Sequence, residues 1–268
     1  MSEKVPITAA AIRARKGQGP KIVVLTAYDY LTARLASEAG IDIILVGDSL
    51  GMVLLGYKNT IAVTMEDMLH HTRAAARGNR DCLLIADMPF LSYHVSAEQA
   101  LKNAGRFVQE AGAEAVKLEG GERMAATVEK LVGAGIPVLG HIGLTPQDIL
   151  NLGGWKVAGK DEKAAQGLLN DAKTLQEAGA FALVLECVPA ALAGEITRSV
   201  EIPTIGIGAG PECDGQVLVS HDLLGLQDQV SPRFVKRYAD LKGEIGRAFS
   251  AWRDDVRSGR FPGPEHCY

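Results

Sequence analysis

The sequence predicts a (β/α)8 barrel from three observations: short apolar runs recur along the chain, helical patterns separate them, and a carboxylate repeatedly follows a run. Near-continuous apolar runs without inside/outside alternation suit parallel strands covered on both faces, and their alternation with helices implies β-α-β units. In chain order the runs are IVVLTAYD (22–29), IDIILVGD (41–48), CLLIADMPF (82–90), AVKLEGG (115–121), IPVLGHIG (136–143), FALVLECV (181–188) and IPTIGIGAG (202–210). An eighth, QVLVSHDLLG (216–225), carries a weaker form of the pattern.

The helices between these runs have their own start and stop signals. Thr64 with Asp67, and Ser96 with Gln99, read as capping boxes that satisfy the free amides of a first turn. Gly40, Gly112, Gly135 and Gly179 stand where helices should end. A weak internal repeat joins the two patterns, because SEAGIDIILVGD (37–48), QEAGAEAVKLEG (109–120) and QEAGAFALVLEC (176–187) each run from helix end through glycine and strand to an acid or its neighbour. Seven or eight such units fit a closed barrel, with a doubly wound open sheet as the structural alternative. No Pro/Ser/Gly-rich stretch or charge block divides the chain, so residues 1–268 read as a single domain whose segment 226–268 forms a helix and a Pro-containing tail.

Composition narrows the function classes. A formal charge of −4, with 28 basic and 32 acidic residues scattered along the chain, provides no basic field for nucleic acid. Cys82, Cys187, Cys213 and Cys267 form no C-x-x-C pair and have no histidine at zinc-ligand spacing, which points to a reducing cytoplasm. Residues 1–20 lack the apolar stretch of a signal peptide, and no segment has the length of apolar sequence a membrane span needs. A soluble protein acting on small molecules is the expectation.

In a parallel barrel the loops after the strands converge on one mouth, so the residues at strand ends become neighbours. Here they are Asp48 with Ser49, Asp87, Lys117 with Glu119, His141 and Glu186. Each also has a plainer reading. A lone Asp after a strand is commonly a helix cap or turn residue. Two together suit Mg²⁺, a hard ion that takes one or two carboxylates, keeps several waters and accepts substrate oxygens. Alternation puts Lys117 on the same face as Glu119, facing the lumen, where it either pairs with Glu119 or captures a substrate carboxylate. A Schiff-base role for Lys117 ranks lower, since a metal and a Schiff base are usually alternative electron sinks. Glu186 ends a very apolar run, which suits it to general-base work, or it is a paired structural acid. His141 either polarises an oxygen or bonds a backbone carbonyl. Cys187 faces away from Glu186 by the same alternation and reads as core packing, while GIGAG (206–210) lacks the spacing of a nucleotide-binding loop.

The segments TAYDY (26–30), LVGDSLGM (45–52), ADMPF (86–90), VKLEGG (116–121), GHIGLTPQ (140–147), GGWKVAG (153–159), LVLECVP (183–189) and GIGAGPECDGQVLV (206–219) resemble the ketopantoate hydroxymethyltransferase family, as does the closing FPGPEHCY. The likeness runs nearly end to end, with Trp155 and Ala158 standing where Tyr and Gln are commoner in the family. It implies a barrel of the phosphoenolpyruvate/pyruvate type with a C-terminal helical extension. It also implies transfer of a one-carbon unit from 5,10-methylenetetrahydrofolate to 3-methyl-2-oxobutanoate, giving 2-dehydropantoate on the route to coenzyme A, by Mg²⁺-assisted enolate formation. On the family's pattern Asp48 and Asp87 correspond to metal carboxylates with Glu119 at the metal shell, Ser49 and Lys117 to groups that hold the oxo acid, Glu186 to the proton acceptor, and His141 to a further site residue. The same resemblance implies a homo-oligomer, commonly a decamer, with 232–259 as a candidate contact segment. A related Mg²⁺-dependent carbon–carbon lyase or phosphonomutase, and a non-catalytic binding barrel, are the competing readings.

Overall fold

In the computed structural model, which describes residues 6–227 and 232–268, eight parallel strands pair in chain order and the last pairs with the first, closing a barrel. They are β1 (Ile22–Thr26), β2 (Ile43–Val46), β3 (Leu83–Asp87), β4 (Ala115–Glu119), β5 (Val138–Gly143), β6 (Ala182–Glu186), β7 (Thr204–Ile207) and β8 (Gly215–Leu218). Each is shorter than the apolar run that predicts it. For β5 and β7 the reason is local: Pro137 and Pro203 have no amide to give to a ladder, so the strands begin at the next residue. The last run differs most, because Ser220–Leu223 is helical and the strand ends before it.

The expected helix signals recur as geometry. Thr64 and Asp67 form a reciprocal capping box on the helix Met65–Gly78. Ser96 accepts from the Gln99 amide at the start of Ala97–Ala111, without the reciprocal bond. Gly40, Gly112, Gly135 and Gly179 all have positive φ, the conformation a helix end requires.

Period-two alternation sorts the strand residues into two cores. Ile22, Val24, Ile43, Leu45, Leu83, Ile85, Leu139 and Val184 fill the lumen, joined by Ile12 from the short helix Ala9–Arg13. Ile44, Leu84, Val116, Leu118, Leu183 and Leu185 point outward and pack with Met68, Leu69 and Phe107 of the surrounding helices. Two residues further along the inward face the side chains change from apolar to ionisable: Leu83 and Ile85 lead to Asp87, Ala115 to Lys117 and Glu119, Leu139 to His141, and Val184 to Glu186. The lumen is thus dry packing below and charge at its carboxyl end.

The described chain divides into two units, one ending at Val219 and the other running from Ser220 to Tyr268. The second contains the helix Leu241–Arg257, capped by Asp240, none of whose residues is buried. It begins nine residues later than position 232, after a non-helical stretch that follows Pro232. No helix among the described residues is long and apolar enough to cross a membrane.

Gly215 lies on the seam between β8 and β1, where an added Cβ would stand 2.5 Å from the Ile22 carbonyl oxygen and 2.7 Å from Ile205 Cδ1. The site has no room for a side chain. Gly215→Ala should therefore lower the unfolding free energy by about 1–3 kcal/mol, as overpacked cores do. A shift of the urea midpoint would report it, and an unchanged midpoint would mean that the seam yields freely.

Candidate active site

The parallel register sets neighbouring strand ends at one level. Asp87 is the partner of Lys117, Glu119 of His141, and Gly143 of Glu186. The Lys117 ammonium donates to Asp87 Oδ1 at 2.6 Å, while Glu119 Oε1 is farther away at 3.8 Å. The within-strand partner expected from alternation is thus secondary to the cross-strand one.

Asp48 lies just beyond β2 and turns its backbone toward Asp87, so that its amide donates to Asp87 Oδ2 at 3.1 Å. Gly47 permits this approach: a Cβ there would meet Ser49 Oγ at 2.8 Å and Asp87 Oδ2 at 3.4 Å. Ser49 opens the short helix Leu50–Val53 without capping it, and its hydroxyl pairs with the Tyr28 hydroxyl at 2.9 Å.

His141 stands between two acids, with Nδ1 3.5 Å from Glu119 Oε1 and Nε2 3.3 Å from Glu186 Oε2, and neither contact meets hydrogen-bond geometry. Burial, reinforced by the positive charge of Lys117, lowers its pKa against the pull of Glu186, which favours the neutral imidazole. Glu186 is the most open of these groups, its side chain 15% exposed where the apolar strand ends at the mouth. Cys187 turns sharply away with φ of 49°, and burial, then the Glu186 charge, push its thiol up to about 11. It is a poor nucleophile.

The electrostatics are lopsided. Asp48, Asp87 and Glu119 are buried with Lys117 as their cation. Burial, then the neighbouring Asp87 charge, push Asp48 up to about 7, although Lys117, Gln147 and Thr60 work the other way. Burial also raises Glu119, with Asp48 and Asp87 adding to it. Burial disfavours the Lys117 charge, yet Asp87, Glu119 and Asp48 outweigh it and hold the ammonium above the usual lysine range.

Two residues that sequence reading does not single out complete the arrangement. Gln147 follows β5 in the turn Pro146–Asp148 and bonds Glu119, Asp48 and Tyr93. Tyr93 lies in the loop after β3 and receives the Glu119 amide proton at 3.1 Å. Gln147 does close the GHIGLTPQ segment, but neither residue sits at a strand end or on a periodic face.

The expected metal trio is not assembled as a cage. Among the described residues no group of three or more His, Cys, Asp or Glu is arranged to hold an ion. Glu119 Oε2 is occupied by the Gln147 amide at 3.0 Å, and Oε1 lies toward Lys117 and His141. Asp87 is engaged in the same way, by Lys117 at Oδ1 and the Asp48 amide at Oδ2, and Asp48 with Asp87 supplies two hard oxygen donors, the number Mg²⁺ commonly takes from protein. Were all three carboxylates ionised, one ammonium would leave two negative charges uncompensated, a charge that protons on Asp48 and Glu119 offset or that a divalent cation would. A cavity of about 290 Å³ lined by Gly120, Gly121, Ile142, Thr145, Leu168 and Asp171, among others, lies on the outward side of β4 and β5 and includes none of these ionisable groups.

A family model described as ketopantoate hydroxymethyltransferase matches residues 6–264. The 3-methyl-2-oxobutanoate hydroxymethyltransferase of Carboxydothermus hydrogenoformans is 58% identical over 98% of this chain and 95% of its own. That of Moorella thermoacetica is 54% identical over 100% of both. Among solved structures, phosphonopyruvate hydrolase in complex with oxalate and Mg²⁺ superposes with a TM-score of 0.62 at 16% identity, covering 97% of this chain and 93% of that one. The 2,3-dimethylmalate lyase, a PEP mutase/isocitrate lyase superfamily member, gives 0.61 at 15% identity, covering 96% and 92%. At such identities the likeness concerns the fold alone.

Proposed function

The chain belongs to the ketopantoate hydroxymethyltransferase family, and from that premise we propose that its barrel mouth transfers a hydroxymethyl group from 5,10-methylenetetrahydrofolate to 3-methyl-2-oxobutanoate, giving 2-dehydropantoate. The observation that supports the residue roles is the convergence of Asp48, Asp87, Lys117, Glu119, His141 and Glu186 at the carboxyl end of one lumen.

Asp48 and Asp87 would hold Mg²⁺, with Glu119 beside them. The donors are hard, and with all three acids ionised their excess over Lys117 matches the charge of a divalent cation. When bound there, the ion supplies a Lewis acid for the 2-oxo group of the substrate. Lys117 offers fixed positive charge to the substrate carboxylate, and Ser49 a hydroxyl at the same rim, so that the reacting carbon is oriented before chemistry begins. Glu186, open to the mouth, accepts the C3 proton. His141 is buried between Glu119 and Glu186, where its ring separates the two acids. Water releases the methylene carbon of the folate as formaldehyde, leaving tetrahydrofolate, and the carbanionic C3 adds to that carbonyl carbon, whose oxygen takes up a proton to become the hydroxymethyl group.

A carbon–carbon lyase or phosphonomutase reading rests on fold likeness at 15–18% identity, against 52–58% for the named hydroxymethyltransferases. A non-catalytic barrel would retain four buried ionic groups at a cost in stability with nothing to gain from them. The reading includes a cytoplasmic location and a homo-oligomer, a decamer on the family's pattern. The helix Leu241–Arg257 supports assembly: Ile245, Phe249, Trp252 and Val256 form one stripe at helical spacing, with Phe249 68% and Trp252 61% exposed. Light scattering at micromolar protein should report a mass well above the 28.4 kDa chain, and a monomer would contradict the assembly.

Enolisation requires a base but not the folate, which separates the two halves of the reaction. Wild-type protein with Mg²⁺ should exchange the C3 hydrogen of 3-methyl-2-oxobutanoate with deuterated water in the absence of folate. Glu186→Gln keeps the side chain's size and removes its basicity, so exchange should fall by roughly 10²–10⁴-fold. Exchange at the wild-type rate with loss of overall turnover would move Glu186 to the folate step and make Glu119 the first candidate for the base.

A further inference from the structure

Gln147 is buried, and each polar atom of its side chain has a partner with one chemical identity. Its Nε2 lies 2.8 Å from Asp48 Oδ2 and 3.0 Å from the Met88 carbonyl oxygen, both acceptors, so the amide gives both hydrogens there. Its Oε1 must then accept, and it does so from the Tyr93 hydroxyl at 2.7 Å. Having spent its single proton, that hydroxyl accepts from the Glu119 amide at 3.1 Å. The Gln147 backbone amide returns to Glu119 Oε2 at 3.0 Å. Donor and acceptor directions are thus fixed around a circuit linking the ends of β3 and β4, the loop residue Asp48 after β2 and the turn after β5, with no polar side-chain atom of Gln147 left over.

We infer that Gln147, held by Tyr93, is a positioning residue that sets the orientation of the Asp48 carboxylate for a divalent cation. Three features of the circuit support this. Gln147 engages Asp48 through one oxygen, Oδ2. It reaches Asp48 from a residue 99 positions away, so the contact holds two distant strand ends in register and does not merely close a local turn. Its amide cannot exchange its roles, because turning it over would set its carbonyl against both a carboxylate and a backbone carbonyl. Partners that stand behind metal-ligating groups typically influence metal affinity or activity by about 10–100-fold. The inference rests on the reading of Asp48 as a metal ligand.

The test is Mg²⁺ binding to the whole protein without substrate, followed by isothermal calorimetry and, with Mn²⁺, by electron paramagnetic resonance. Wild type, Asp48→Asn, Gln147→Met and Tyr93→Phe are compared. Gln147→Met keeps length and burial while removing donor and acceptor, and Tyr93→Phe removes one oxygen atom from an otherwise intact ring. Gln147→Met should weaken the ion's affinity by about tenfold or more, and Tyr93→Phe should weaken it in the same direction by less. Raising Mg²⁺ should restore much of the kcat of Gln147→Met. Affinities within twofold of wild type in both variants, with Asp48→Asn impaired, would overturn the positioning role alone. If wild type and Asp48→Asn bind the ion equally, the ligand reading is wrong and this inference falls with it. Should Gln147→Met fail to fold, the affinity of Tyr93→Phe decides.

Discussion

Everything at the mouth of this barrel answers to the burial of three carboxylates around one lysine. Asp48, Asp87, Glu119 and Lys117 are each shielded from water, and an uncompensated buried charge costs several kcal/mol. The chain meets part of that cost with directed donors: the Asp48 amide to Asp87, the Gln147 amide to Glu119, and the Gln147 side chain to Asp48. The remainder shows as proton affinity, with Asp48 driven up to about 7 and Glu119 raised as well, burial being the larger cause for both. A core built for stability alone would place apolar residues there, as it does two positions lower on the same strands. On the proposed reading, a divalent cation would take the place of those protons.

The barrel makes this concentration possible by separating duties along one face. Alternation delivers inward side chains from every strand, and parallel register levels them, so Asp87 meets Lys117 and Glu119 meets His141 with no long loop involved. The outward residues of the same strands bind the helices and hold the positions rigid. Glu186 stays apart from the lysine, across the His141 imidazole and nearer the opening. The roles proposed for ion holding and proton abstraction thus fall at different strand ends, with His141 between them.

How much of this is legible in the sequence follows from which interactions are local. The strands, the helix caps at Thr64 and Ser96 and the inward face of Lys117 and Glu119 follow from periods of two and 3.6 residues and from capping chemistry, which depend on near neighbours. The pairing of Lys117 with Asp87 depends on register between β3 and β4, which a single strand does not encode, so alternation alone points to Glu119 instead. Gln147 and Tyr93 are further from view because they lie in loops and act through contacts 99 and 26 positions away. The start of the last long helix at Leu241 is set by the Asp240 cap, after a stretch whose composition resembles helix as far back as position 232.

On the proposed reading, a divalent cation binds the folded chain at Asp48 and Asp87, beside Glu119, and stabilises it. The most direct test of that reading is the unfolding free energy, measured by urea denaturation, as a function of free Mg²⁺. A rise of about 1.4 kcal/mol is expected for each tenfold increase in Mg²⁺ above the dissociation constant, lost in Asp87→Asn. A stability that stays flat from chelator to millimolar Mg²⁺ would contradict it.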